Sequence, residues 1–192
     1  MTYTFETLRQ VNSSRCLRWH KSGLDEWSLA DWVVAVGGEV GEALNVVKKL
    51  NRDRDGQPGN TRSRIELLSD LADELADIVI YLDILVSAAG GERLGILFDR
   101  KDFAELRQAT RFEYPDATIL SVSEWAAGML ELAGGLACVV LVNSGHVGSA
   151  ADELLNAIDA SAHAWEIDLG LAVARKFNAT SERYGFPERL TA

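Results

Sequence analysis

Four carboxylates stand where two helices need apolar side chains. One helical stripe reads Trp32, Val36, Glu39, Ala43, Val46, Leu50, and a second reads Leu67, Leu71, Glu74, Ile78, Tyr81, Leu85. Both follow the spacing of about 3.6 residues that marks one face of a packed α-helix. Glu42 lies three residues after Glu39 and Asp77 three after Glu74, so each pair projects from the same side of its helix. Uncompensated charge on a buried face is too costly to be incidental. Four carboxylates converging between two helices therefore require a cation. An all-oxygen donor set suits a hard ion, Mg²⁺ first and Mn²⁺ as the alternative.

The composition permits a packed domain around such a pair. The chain's 192 residues suffice for one sizeable domain. Its 47% hydrophobic and 25% charged residues are ordinary for a soluble globular protein. A net charge of −10 leaves no Lys/Arg excess to neutralise a phosphate backbone, so no nucleic-acid partner is expected. A small phosphorylated substrate stays open, because metal ions can screen its charge. Cys16 and Cys138 are far apart without metal-ligand spacing and read as two reduced, buried thiols. The longest apolar run, residues 126–142, contains Glu131 and several glycines and is short against the ~20 residues of a membrane span. It reads as a buried core helix. The polar N-terminus lacks the apolar segment of a signal peptide, and a cytoplasmic protein without membrane contact is expected.

Periodicity and punctuation give about six helices and no convincing strand, an all-α bundle. The first helix spans residues 4–19, with apolar Phe5, Leu8 and Val11. Residues 20–27 read as a loop. Ser28 caps the next helix, with Asp31 as its capping-box partner, and that helix runs to residue 51. Its interior holds Gly37, Gly38 and Gly41, each costing up to about 1 kcal/mol relative to Ala. Close backbone approach, to a neighbouring helix or to bound metal and phosphate, would account for them. After a polar Gly/Pro linker at 51–62 comes a helix over 64–89, ended by Gly90-Gly91. Asp70, one turn before Glu74, reads either as a further ligand or as a solvated carboxylate favoured by the helix dipole. A short helix at 102–108, a turn at 113–116, a Ser123-capped helix to 142, a helix over 150–165 and a last one over 168–184 complete the chain.

Three stretches recur in the same order. WVVAVGGEVGEALNVV from Trp32 lines up with WAAGMLELAGGLACVV from Trp125, ADELAD from Ala72 with ADELLN from Ala151, and LGILFDRK from Leu94 with LGLAVARK from Leu169. In the second set Leu132 and Gly135 replace Glu39 and Glu42, Asn156 replaces Asp77, and Glu153 alone remains. Residues 92–166 are thus either a degenerate second copy or a helical-hairpin insertion within a single domain spanning 1–192.

The stretches GGEVGEALNVVKKL and LADELADIVIYLDIL, followed by IDLGLAVARKFNATSERYGFPERL, resemble the MazG-like family of all-α nucleoside triphosphate pyrophosphohydrolases, with the all-α dUTP and dCTP pyrophosphatases as relatives. The resemblance covers roughly residues 19–90 and 167–190. It implies a helical bundle assembled as a homodimer or higher oligomer. It also implies Mg²⁺-dependent hydrolysis of a nucleoside or deoxynucleoside triphosphate to the monophosphate and pyrophosphate. By that resemblance Glu39, Glu42, Glu74 and Asp77 would hold the metal, with Glu39 the first choice for the base and Glu42 the second. Many members carry Glu-Glu where this chain has Gly38-Glu39, so one carboxylate is missing.

Other groups would complete such a site. Lys48 and Lys49 lie two turns beyond Glu42 and are placed to touch phosphate; Asn45, one turn beyond, is placed to reach base or ribose. Lys176, Asn178, Arg183 and Tyr184 match the family's closing stretch and resemble its phosphate- and sugar-binding residues. Trp19 and His20 resemble the position where dCTP-hydrolysing relatives contact the base, and an indole there can stack on it. No Walker-type glycine loop is present. The competing expectation is a non-catalytic nucleotide-binding or regulatory helical module. A di-iron bundle needs Glu-x-x-His, which neither Glu42 nor Glu74 begins.

Overall fold

A computed structural model describes residues 3–115, 120–142 and 144–191, without the side chain of Ser144. It is all-helical: α1 Phe5–Trp19, α2 Leu29–Arg54, α3 Arg64–Ala88, α4 Phe103–Glu113, α5 Val122–Val142, α6 Val147–Ala164 and α7 Leu169–Arg183. Seven α-helices among the described residues agree with the expected bundle of about six, and the short helix read at 102–108 runs on to Glu113 behind an Asp102 cap. Short 3₁₀ turns at Gly23–Glu26 and Ser144–His146 precede α2 and α6. The turn read at 113–116 ends on Asp116, which lies outside the described residues.

The helix starts follow local chemistry. Ser28 and Asp31 form the expected capping box on α2, and Ser63 with Glu66 forms another on α3. α5 is capped by Ser121 rather than Ser123. Ser121 Oγ accepts from the Glu124 amide and Glu124 accepts from the Ser121 amide, the S-x-x-E signature. Ser123 instead accepts from Asn51 Nδ2 at 2.9 Å, which ties the end of α2 to the start of α5.

α3 is the central element. It packs against α1, α2, α6 and α7, and its apolar residues from Leu67 to Val86 are buried almost all round. α2 lies along α3 on one side and α5 on another; α4 packs on α6 as α1 packs on α3. α7 leaves α6 and returns to α3, so the last helix closes on the first half of the chain.

Polar contacts fix these helices in register. Arg9, on the buried face of α1, donates through Nε to Asp83 Oδ1 at 3.0 Å, and through Nη1 to the carbonyls of Gly91 and Glu92, both at 2.7 Å. Asn12 donates to the other Asp83 oxygen and to the Ile80 carbonyl. Arg107 grips Asp159 with two nitrogens, locking α4 to α6. Asp152 accepts from the amides of Gly95 and Leu97, holding the turn after α3 against α6. Gly95 sits at φ 80°, where a side chain would strike the Arg100 carbonyl and the Phe5 ring.

Two expectations change. α5 is not a buried core helix. It is long and apolar enough to cross a membrane by length and composition alone, yet only 28% of that apolar stretch is buried. Only its Trp125, Ala126, Met129 and Leu136 side is covered, because α2 and α6 meet it on that side. Cys138 consequently lies exposed, while Cys16 is buried as expected.

The Arg9–Asp83 pair yields a stability test. Asp83 is 1% exposed, so removing it strands a guanidinium in the core. Asp83→Ala should cost about 3–5 kcal/mol, the order for breaking one side of a buried ion pair. Thermal denaturation should show this as a Tm lowered by roughly 6–20 °C; an unchanged Tm would mean that the network contributes nothing.

Candidate metal centre and its aromatic cavity

The packing of α2 on α3 brings Glu39, Glu74 and Asp77 together, with one carboxylate oxygen from each within 4.8 Å of the others. All three are half-buried. Glu42 does not join them: it lies exposed at the edge of α2. Three residues advance an α-helix by about 300°, which turns Glu42 some 60° away from Glu39. On α3 the same spacing is harmless, because helices flank it on several sides. Glu42 remains close enough for its charge to be felt at both Glu39 and Glu74.

The cluster holds more negative charge than its surroundings neutralise. Burial, then the charges of Asp77, Glu42 and Glu74, push the Glu39 carboxyl from its ordinary 4.5 up to about 7. Burial also raises Glu74 and Asp77. The nearest positive charge is Lys176 on α7, whose Nζ lies 2.7 Å from Asp77 Oδ2. Burial pulls that ammonium's pKa down, but the hydrogen bond and charge of Asp77, with Asp73 and Glu74, outweigh it and raise it overall. Every one of these groups holds its proton more firmly than usual, carboxylates and ammonium alike. That is the signature of a site short of positive charge. Three hard oxygen donors in that state fit a divalent cation such as Mg²⁺.

Beside Asp77 opens a cavity of about 300 Å³. Trp19, His20, Trp27 and Trp32 form its aromatic wall; Ile80, Tyr81 and Ile84 on α3 form the opposite one; Asn12, Arg15, Cys16 and Thr180 complete it. The 3₁₀ turn brings Trp27 back onto Trp32 at 4.7 Å between ring centroids, and the His20 ring packs edge-on to both. The indole of Trp32 donates to the Leu24 carbonyl, which fixes the turn. Arg15 is spoken for: its guanidinium lies 3.6 Å over the Phe177 ring and donates to the Phe177 carbonyl. Burial draws its pKa down to about 10.

The remaining expected residues fall into two groups. Lys176, Trp19 and His20 border the cluster or the cavity. Asn178 has its amide committed to both backbone groups of Leu190 at 2.8 Å, so it pins the C-terminal tail. That tail, through Glu188 bonded to Ser14 and Arg18, packs Phe186 and Tyr184 against Trp19. Arg183 stands exposed over Tyr184. Asn45 and Lys48 are exposed on α2, with Lys49 half-buried. Asp70, half-buried, pairs with Arg62 at 2.9 Å. Sequence reasoning passed over Asn12, Arg15, Trp27, Trp32 and Tyr81 as cavity walls. Polar residues at the core positions of α1 were the signal available for the first two.

No family model matches the chain, and no curated protein or solved structure matches it.

The pKa of Glu39 gives a signed expectation. A carboxyl raised by folding binds more protons in the folded than in the unfolded chain between about 4.5 and 7. It therefore favours the fold below that window and loses this contribution as pH rises through it. Thermal melts of the metal-free protein should show Tm falling between pH 5 and 8. Glu39→Gln should flatten that fall and melt above the wild type at the alkaline end. A steeper fall in the variant would show the charge to be satisfied within the protein.

Proposed function

We propose that the chain is a Mg²⁺-dependent nucleoside triphosphate pyrophosphohydrolase, yielding nucleoside monophosphate and pyrophosphate. The observation that carries this reading is the adjacency of the carboxylate cluster to a base-sized aromatic cavity, with Asp77 belonging to both. A planar, apolar, hydrogen-bonding group and a polyanion needing metal are the two halves of a nucleotide. The resemblance of the ExxE and ExxD helices to the MazG-like family points the same way.

In this reading the chain's residues divide the work. Trp19, His20, Trp27 and Trp32 receive the base by stacking and edge contacts. Tyr81 and Thr180 bring hydroxyls to the same wall. Glu39, Glu74 and Asp77 would hold Mg²⁺, which when bound would supply positive charge against the triphosphate and the leaving pyrophosphate. Lys176, next to Asp77, meets the phosphates. Glu39 accepts the proton of the water that attacks the α-phosphorus. Burial and the neighbouring carboxylates raise its pKa to about 7 in the metal-free chain; a bound cation would draw it back down and keep the carboxylate ionised, as a base must be.

A second reading, a nucleotide-binding module without turnover, draws on Gly38 and on the exposed position of Glu42, which together leave three converging carboxylates. Purified protein supplied with Mg²⁺ and a panel of nucleoside and deoxynucleoside triphosphates separates the two. The first expects monophosphate and pyrophosphate in equal amounts, abolished by chelation. Glu74→Gln should lower turnover by about 10²–10³-fold, the order lost with one preorganised electrostatic group. Trp32→Ala should raise KM more than it lowers kcat. Nucleotide binding without product, with Mg²⁺ or Mn²⁺, selects the second reading; no binding at all defeats both.

A further inference from the structure

We propose that the tail after α7, residues 184–190, is a strap that sets Trp19 in the wall of the aromatic cavity, with Phe186 and Glu188 as its positioning residues. It acts on the cavity read above as the seat of a nucleobase, and rests on that reading. Chain ends fray unless something ties them down, and this one is tied at each step. α7 ends in a Schellman turn. The Phe186 amide donates to the Ser181 carbonyl at 2.8 Å and the Gly185 amide to that of Glu182 at 3.1 Å. Gly185 takes the left-handed φ of 69° that such a turn needs. The tail then comes back to α7, where Asn178 bonds both backbone groups of Leu190.

Between these two points Glu188 reaches across to α1. Its side chain is 7% exposed. It accepts from Arg18 Nε at 2.8 and 2.9 Å and from Ser14 Oγ at 2.9 Å. A carboxylate is costly to bury without such partners. The anchors Glu188 and Leu190 are therefore buried, while the rings they bring along are not. Tyr184 is 48% exposed, Phe186 is half-buried, and Trp19, which both rings meet, is 44% exposed. None of these three rings belongs to the buried core. Buried anchors carrying half-exposed rings are the reverse of a tail that merely covers apolar core.

What the rings hold is Trp19, the last residue of α1 and a lining residue of the cavity. Tyr184 and Phe186 meet it edge-on, at 4.3 and 5.0 Å between ring centroids. The next residue, His20, belongs to the other half of the wall, packed on Trp27 and Trp32. That half is braced within residues 20–32, through the Trp32 indole on the Leu24 carbonyl. The Trp19 half depends on the far end of the chain. Core packing does not fix the rotamer of a side chain this exposed; the two rings of the tail do. The described lining of the cavity does not include Phe186 or Glu188, so they act through Trp19. Holding the indole in place beforehand removes an ordering cost from binding, which is preorganisation.

Labelling the full chain with 5-fluorotryptophan puts a fluorine reporter on each of its five tryptophans, and the line lost in Trp19→Phe identifies Trp19. Phe186→Ala should move that line toward the position of free 5-fluorotryptophan, and further than any other line. Glu188→Gln, which keeps the size of the side chain but loses its charge pair, should move it the same way. Affinity for the four common deoxynucleoside triphosphates, with Ca²⁺ in place of Mg²⁺, should fall by about three- to tenfold in both variants, the order of one aromatic pair. Phe186→Tyr should restore it. With Mg²⁺, KM should rise by a similar factor while kcat changes by less than about twofold. A Trp19 line unmoved by Phe186→Ala overturns the strap, as does unchanged affinity in both variants of a wild type that binds. A wild type that binds none of these nucleotides defeats the nucleotide reading itself, and the strap's role with it.

Discussion

The half-buried negative charge on the α2–α3 seam is the constraint to which the rest of the structure answers. Glu39, Glu74 and Asp77 occupy positions that a stable helix pair would give to Leu or Val. Burial without full neutralisation raises the proton affinity of all three. The ammonium paired with the cluster among the described residues, Lys176, comes from about a hundred positions away in sequence. The fold tolerates this cost because α3 is otherwise sheathed in apolar contacts from Leu67 to Val86. Polar groups that serve structure, such as Arg9 with Asp83 and Arg107 with Asp159, are paired closely. The cluster is the place where pairing stops short, and that contrast separates a site from a scaffold.

The return of α7 explains why residues 92–166 do not interrupt the site. α4, α5 and α6 pack among themselves much as α1, α2 and α3 do, with α5 laid antiparallel on α2. Of the three recurring stretches, the first two lie on paired helices, α2 with α5 and α3 with α6, but the third changes structure: residues 94–101 hold a turn where residues 169–176 are helical. α7 follows α6 but packs on α3. The closing element attached to the half without the carboxylate cluster thus serves the half that holds it.

Much of this was legible in the sequence, for reasons tied to particular residues. Serine three positions before an acid marks where α2 and α3 begin, because that chemistry is local. Glu39, Glu74 and Asp77 stand out because an acid in an apolar stripe has no other account. Glu42 reads identically at that level, since spacing on one helix does not say how far neighbours wrap around it. The aromatic cavity was not legible at all. Trp27 reaches Trp32 through a 3₁₀ turn that looked like loop, and Asn12 and Arg15 face the cavity only because α1 lies across α3. Asn178 has a side chain suited to a ligand, yet its amide is used by Leu190, a contact set by how the tail folds back.

The glycines of α2 carry the same lesson further. Three of them in ten residues suggest close approach of something, and bound metal or phosphate is the natural first choice beside an acidic motif. Their placement reverses that choice. Gly37, Gly38 and Gly41 are exposed, and a side chain at any of them would meet nothing within 4 Å. One helix therefore shows two faces: charge held against α3, and a bare backbone turned to solvent. Glu42 lies between the two, exposed and still electrostatically coupled to Glu39 and Glu74.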